Sequence, residues 1–231
     1  MYRPRRRRQA LWLGLLAAFV VFALSACGGG GGSGSEQAKQ EQPKVHAITQ
    51  PGKPLAPGKY ATKVFEPSMS FSVGEGWISM LPETHDAVAL GEENGPTLIG
   101  ILNLEKVFDP NDPSKANPEP ADVGAWLQEH PRLDVEQPSR VTVGGVSGQQ
   151  FDAVASEPKE GPRFCSEACV PLFYITNNNF WVGKTEKYRF MVLDNVEGQT
   201  VTIFFGGPAV EFEESLPKAQ EVLETVEWEG T

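Results

Sequence analysis

The hydrophobic positions divide the chain into three regimes. A near-continuous apolar run spans Ala10 to Leu24, a polar stretch runs from Cys27 to about Pro57, and short apolar runs alternate with polar ones from Gly58 to Trp228. Strand signals dominate the third regime. Lys59–Phe65 and Met69–Val73 are β-prone runs separated by Glu66-Pro67-Ser68, and Gly74-Glu75-Gly76 turns the chain before Trp77. Asp86–Leu90 reads as a strand. Leu98–Leu104 is apolar at nearly every position, the pattern of a central strand covered on both faces. Arg140–Val143, Gly144-Gly145 and Val146–Ala155 predict a hairpin closed by a two-residue glycine turn. Val170–Thr176 and Phe180–Val182 flank Asn177-Asn178-Asn179, residues that tolerate positive φ, and predict another. The clearest pair is Lys187–Leu193 with Gln199–Phe205, joined by a turn through Asn195-Val196-Glu197-Gly198. There Val201, Ile203 and Phe205 alternate with Thr200, Thr202 and Phe204 at the two-residue period of a sheet.

Two stretches carry helical signals. Ala121–Glu129 has Asp122 near its start and Pro131 just past its end. From about Glu211 to Thr225, the positions Phe212, Leu216, Ala219, Leu223 and Val226 form one apolar stripe. Pro217 within it predicts a kink, or a helix proper that begins near Ser215. The stripe is expected to dock on the chain's own sheet. The fold class predicted is therefore α+β: an antiparallel sheet with a C-terminal helix packed on one face.

The first two regimes describe how the chain is delivered. Five arginines and no acid precede the apolar run, which is 15 residues long, short of the roughly 20 needed to span a bilayer as a helix. Small residues then lead to a cysteine, the layout of a secretory signal. Leu24-Ser25-Ala26-Cys27 resembles the lipobox of bacterial lipoproteins. That resemblance implies that Cys27 is diacylated and that the chain is cut just before it, leaving the protein on the outer face of the cell membrane. The alternative is an uncleaved N-terminal anchor. Arg7-Arg8 with Leu11 partly matches a twin-arginine signal, although Ala10 stands where that motif has Phe, and an ordinary basic n-region fits as well. Residues 1–26 are thus expected to be a signal peptide and 27–57 a Gly/Ser/Gln/Pro-rich tether unable to bury a core. Residues 58–231 form a single extracytoplasmic α+β domain on this reading.

Charge and cysteines narrow the function classes. Removing residues 1–26 takes away five positive charges and no negative ones, so the formal net charge moves from −10 to −15. Such a surface argues against binding nucleic acid or anionic headgroups by electrostatics. With Cys27 given to lipid, Cys165 and Cys169 remain as a pair in an oxidising compartment, where a short-loop disulfide is expected. A metal or redox Cys-x3-Cys site is the alternative, but no histidine lies nearby in the sequence.

Three segments carry a wider resemblance: "YATKVFEPSMSFSVGEGW" (Tyr60–Trp77), "VTVGGVSGQQFDA" (Val141–Ala153) and "VTIFFGGPAVEFEESLPKAQEVLETVEW" (Val201–Trp228). Together they look like a group of actinobacterial secreted lipoproteins of unassigned function. The order of elements is also similar to the Mog1/PsbP-like fold: an early Phe-rich strand with a Gly-Trp turn, a middle hairpin, and a final helix ending in a short β-prone run. The resemblance implies a fold and no activity, since its motifs are turns and strand pairs.

Candidate chemistry is sparse. Gly145-Val146-Ser147-Gly148-Gln149 superficially resembles a serine elbow but follows a hairpin turn and lacks the second glycine in place. His46, His85 and His130 are scattered, with no zinc-binding spacing. The acidic, proline-rich stretch Asp109–Asp122 departs from an EF-hand. It reads as a solvated loop and a candidate contact surface, with calcium as the sharper alternative. Trp77, Trp126, Trp181 and Trp228, with Phe180, either pack as core and rim or line a cleft. No cofactor or metal is called for. The reading that results is a non-enzymatic binding or interaction module of the cell envelope, anchored by its lipid and recognising a protein or small molecule. The alternative is an extracytoplasmic hydrolase working through carboxylates such as Glu75, Glu92 or Asp152. Two carboxylates converging in a cleft would favour the second; an apolar cleft would favour the first.

Overall fold

A computed structural model describes residues 44–48, 50–156, 168–176 and 178–230, together with the backbone of 159–160. Its centre is an antiparallel sheet in which β4 (Trp77–Ser79), β5 (Ala87–Glu92), β6 (Leu98–Leu102), β16 (Gln199–Pro208), β15 (Glu186–Val196), β11 (Val146–Ala155) and β10 (Ser139–Val143) lie side by side in that order. A further strand, β9 (Leu133–Val135), shares the β10 edge of β11. Each face of this sheet is covered. On the first lies a small sheet of β1 (His46–Ala47), β2 (Gly58–Ala61), β3 (Met69–Val73) and β17 (Glu227–Trp228), with helix α2 (Phe212–Leu223). On the second lie β12 (Lys159–Glu160), β13 (Ala168–Ile175), β14 (Asn178–Gly183), β7 (Lys106–Phe108) and β8 (Ala116–Pro118), with the short helix α1 (Val123–Gln128).

The period-two alternation explains the two cores. Along β16, Val201, Ile203 and Phe205 enter the first, while Phe204 enters the second. Along β15, Met191 and Leu193 face the first, and Phe190 and Val192 the second. Strand β6 sends Ile99 and Ile101 one way and Leu102 the other, as its unbroken apolar run predicts. Burying each such side chain contributes about 1.5–3 kcal/mol, and β6, β15 and β16 contribute to both cores because both their faces are used. Thr202 shares the buried β16 and is fully buried, yet its hydroxyl has no hydrogen-bond partner. Thr202→Val keeps the shape and removes the desolvated hydroxyl. It should therefore raise the unfolding free energy by about 1 kcal/mol in a urea melt; a loss of stability would mean that the hydroxyl is satisfied.

Turn and cap chemistry sits where the sequence put it. Gly144 and Gly145 both take positive φ (57° and 81°) and join Val143 to its partner Val146, the geometry of a two-residue hairpin turn. The turn between β15 and β16 narrows to Glu197-Gly198, also both at positive φ, because Val196 still pairs with Gln199. The Asp122 carboxylate accepts the Ala125 N–H at 2.7 Å and caps α1.

Several expectations shift. The C-terminal helix spans Phe212–Leu223 behind a 3-10 turn (Ala209–Glu211), as the Glu211–Thr225 stripe predicts, and Pro217 lies inside it, so the later start near Ser215 does not hold. A proline there removes one backbone donor, but Phe212, Ala219 and Leu223 stay locked in the first core. The Lys59–Phe65 strand ends at Ala61, beyond which the Glu83 carboxylate accepts the N–H groups of Lys63, Val64 and Phe65. Part of the proline-rich loop is ordered, because Lys106–Phe108 pairs with Ala116–Pro118 as a hairpin. The fold also reaches back into the stretch read as tether. His46 and Ala47 pair in parallel with Tyr60 and Ala61, and Leu55 is buried in the first core. Short segments such as these follow no readable period, since three residues cannot show one.

Candidate functional site

Two clefts of about 270 Å³ each open on this framework, and they differ in kind. The first lies on the second face of the central sheet, where the β13–β14 hairpin leaves part of β5 and β6 uncovered. Its floor is made of small residues, Ala89 and Gly100. A Cβ on Gly100 would stand 2.2 Å from the Phe204 ring, so the glycine is what lets that ring lie across β6. Phe180 stacks on Phe204 with centroids 3.8 Å apart, and Tyr188 meets both rings edge-on at 5.1 and 5.8 Å. Met80, 44% exposed, stands at the rim.

The polar groups of this cleft are few. Glu186 is the only charged residue lining it among the described residues, and one of its oxygens accepts the Gly183 N–H at 2.7 Å. Burial first, and then the Glu186 carboxylate that shares its hydrogen bond, push the Tyr188 phenol far above its ordinary range. The shift keeps the phenol protonated. Asn179 also lines the cleft, and its buried side-chain oxygen has no hydrogen-bond partner.

The second cleft is ionic. Asp134, Glu136, Asp152 and Lys187 line it. Asp152, buried on β11, stands directly opposite Arg189 on β15 and receives its Nε at 2.6 Å and its Nη2 at 3.0 Å. Lys187 bridges Asp152 and Glu136 at 3.1 Å each. Burial pushes the Asp152 carboxyl up, but the hydrogen bonds from Arg189 and Lys187 outweigh it and hold the pKa below the usual carboxylate range. A general acid needs the opposite shift, and both oxygens here are already occupied, so the arrangement is an ion-pair lock.

The other candidate residues fall in separate places. Glu92 pairs with Lys218 and accepts the Thr97 hydroxyl at 3.0 Å. Glu75 is exposed on the turn before β4. Glu92 and Asp152 belong to separate ion pairs, and Glu75 stands exposed on the turn beside the Trp77–Glu92 pairing. Ser147 is exposed on β11 in register with Thr142, so it sits in a ladder and not at a strand-to-helix elbow. His46 stacks on Tyr60 at 5.2 Å, His85 pairs with Glu105 at 3.1 Å on the surface, and His130 is buried against Trp126. Asp109 accepts the N–H groups of Asn111 and Asp112, and Asp112 takes Ser114 and Lys115, which hold its pKa at about 2. These carboxylates serve their own turn. Among the described residues no group of three His, Cys, Asp or Glu side chains is placed to hold a metal.

Of the tryptophans, Trp181 borders the aromatic cleft together with Phe180, whereas Trp77 and Trp228 belong to the first core and Trp126 packs on the second. Cys169 is buried on β13; Cys27 and Cys165 lie outside the described residues. Sequence reasoning missed Glu186, Tyr188, Phe204, Ala89 and Gly100. Only Gly100 carried a signal, as a lone glycine inside an apolar strand run. No helix among the described residues is long and apolar enough to cross a membrane. No protein-family model matches the chain, and no curated protein matches it either.

Proposed function

We propose that the protein is an extracytoplasmic lipoprotein, held at the cell membrane by diacylated Cys27, whose α+β domain binds a small apolar molecule in the cleft between the central sheet and the β13–β14 hairpin. The observation that carries the ligand-binding reading is the cleft itself: an aromatic, preformed hollow of about 270 Å³ with a single carboxylate among its described lining residues. The anchor rests on the Leu24-Ser25-Ala26-Cys27 motif, and the bridge between Cys165 and Cys169 rests on their spacing and the oxidising compartment that motif implies. The likeness to the Mog1/PsbP-like fold is supported by β17, which follows α2 and pairs with β3.

One substitution tests the cleft. Ala89 lies on its floor and is 7% exposed, so Ala89→Leu should fill the hollow and weaken binding of an apolar probe such as octan-1-ol at least tenfold. The substitution should lower stability by no more than about 1–3 kcal/mol. Unchanged octanol binding by a folded Ala89→Leu protein would remove the cleft as the site. Mass spectrometry of the cell-derived protein should find an N-terminal acylated cysteine, and Cys27→Ser should abolish both acylation and cleavage. A mature chain beginning elsewhere would defeat the anchor.

A further inference from the structure

The cleft's polar atoms favour one charge type. Among the described residues, Glu186 is the only charged one lining the cleft, and no salt bridge involves it. The cation beside it in sequence, Lys187, is committed to Glu136 and Asp152. An ionised carboxylate offers about four acceptor sites and no donor. The Gly183 N–H takes one at 2.7 Å, and the Tyr188 phenol shares another. Capacity for a donor from a ligand is left over. A second acceptor, the buried Asn179 Oδ1, has no hydrogen-bond partner among the described residues. A buried acceptor left unmatched is unfavourable by about 1–3 kcal/mol, which a donor on a ligand would relieve.

The walls agree with the acceptors. Apart from Glu186, the described lining residues are uncharged, so none of them favours an anion. We propose that the cleft selects a small cationic amphiphile, an ammonium group on an apolar body, and discriminates against the carboxylate of the same skeleton. This inference rests on the ligand-binding reading above. Size follows from volume. A dry apolar cavity of about 150 Å³ holds benzene, so a cleft of about 270 Å³ accommodates roughly ten non-hydrogen atoms on the same scale.

The test uses three probes with one chain: octylamine, octan-1-ol and octanoate. They are titrated calorimetrically at neutral pH into residues 27–231 expressed without the first 26 residues and carrying Cys27→Ser, so that neither lipid nor detergent competes. Octylamine should bind at least tenfold tighter than octanoate, with octanol between them. Glu186→Gln keeps an acceptor for the Gly183 N–H and removes the charge, so it should bring amine and alcohol within about threefold of each other. Glu186→Asp, which keeps the charge, should retain the amine preference and separates lost charge from lost fold. Octanoate binding as tightly as octylamine, or an amine preference that survives Glu186→Gln, would overturn the inference. Octanol binding with no preference for the amine overturns it while leaving the cleft as a site. Failure of all three probes overturns the cleft reading itself.

Discussion

Replacing Asp152 with alanine should lower the free energy of unfolding by about 3–5 kcal/mol, read from the shift of the urea midpoint. The size follows from what the carboxylate holds. Asp152 is 5% exposed and faces Arg189 across the β11–β15 ladder, with two guanidinium nitrogens on its two oxygens. Lys187 adds a third bond at 3.1 Å. These cations are themselves seated on aromatic rings, with the Lys187 ammonium 4.6 Å and the Arg189 carbon 5.8 Å from the Phe212 centroid. Truncation at Asp152 strands a guanidinium that is only 21% exposed in a site it cannot leave without breaking the packing of α2. The double variant Asp152→Leu with Arg189→Met removes both charges and should recover most of the loss, since apolar replacement of a buried pair is often neutral. A loss below about 1 kcal/mol for Asp152→Ala would assign this network to the weak class of surface pairs. Because the pKa of Asp152 is held down, its contribution is complete above the ordinary carboxylate range and disappears as pH falls through its lowered folded value.

That network also shows where sequence reading stops. Asp152, Lys187 and Arg189 are ordinary surface-type residues in the sequence. They become one unit only through the register that sets Asp152 opposite Arg189. Local signals were legible where the physics is local. Two adjacent glycines force the positive φ of the Val143–Val146 turn, Asp122 caps α1, and the apolar stripe from Phe212 to Val226 finds the sheet behind it. The alternation in β16 correctly assigned its residues to opposite faces. Division of the strands among three sheets was not legible, because it depends on pairings between distant segments. Leu98–Leu102 pairs with Thr202–Gly206, and nothing in either segment names the other. The cleft was hidden for the same reason. Its floor comes from β5 and β6, its aromatic wall from β14, β15 and β16, and its carboxylate from the first residue of β15. Of the aromatics singled out in the sequence, Trp181 and Phe180 line the hollow, beside Tyr188 and Phe204, while the other tryptophans do not. They instead close packing seams, as Trp228 does by donating its indole N–H to the Val143 carbonyl at 3.1 Å.

Stability should also fall as the solution is acidified from about pH 6.5 to about 4, and His130 is the reason. Its ring is 3% exposed at the end of α1, edge-on to Trp126 with centroids 5.2 Å apart. Its Nδ1 faces the Arg132 backbone N–H at 3.3 Å, which suits a lone pair, and its buried Nε2 has no partner. Burial, reinforced by the Arg132 charge, lowers its pKa from 6.5 to about 4. The sign is fixed by which state takes the proton. Between those two values the unfolded chain binds a proton that the folded chain refuses, so acid draws the equilibrium toward unfolding. Summed over the interval the effect is on the order of 3 kcal/mol, complete near pH 4 and absent above the ordinary histidine value. Glu119 acts the other way, because burial raises its carboxyl and protonation there favours the fold. His130→Phe keeps the aromatic packing on Trp126 and cannot titrate. Subtracting its urea-derived stability curve from that of the natural protein isolates the histidine from every other group, the half-buried His46 on Tyr60 and the surface His85–Glu105 pair included. The difference should be flat above about pH 7 and slope steadily between 6.5 and 4. A flat difference across that interval would mean that His130 takes up its proton in the folded protein, with the ring free to reach water.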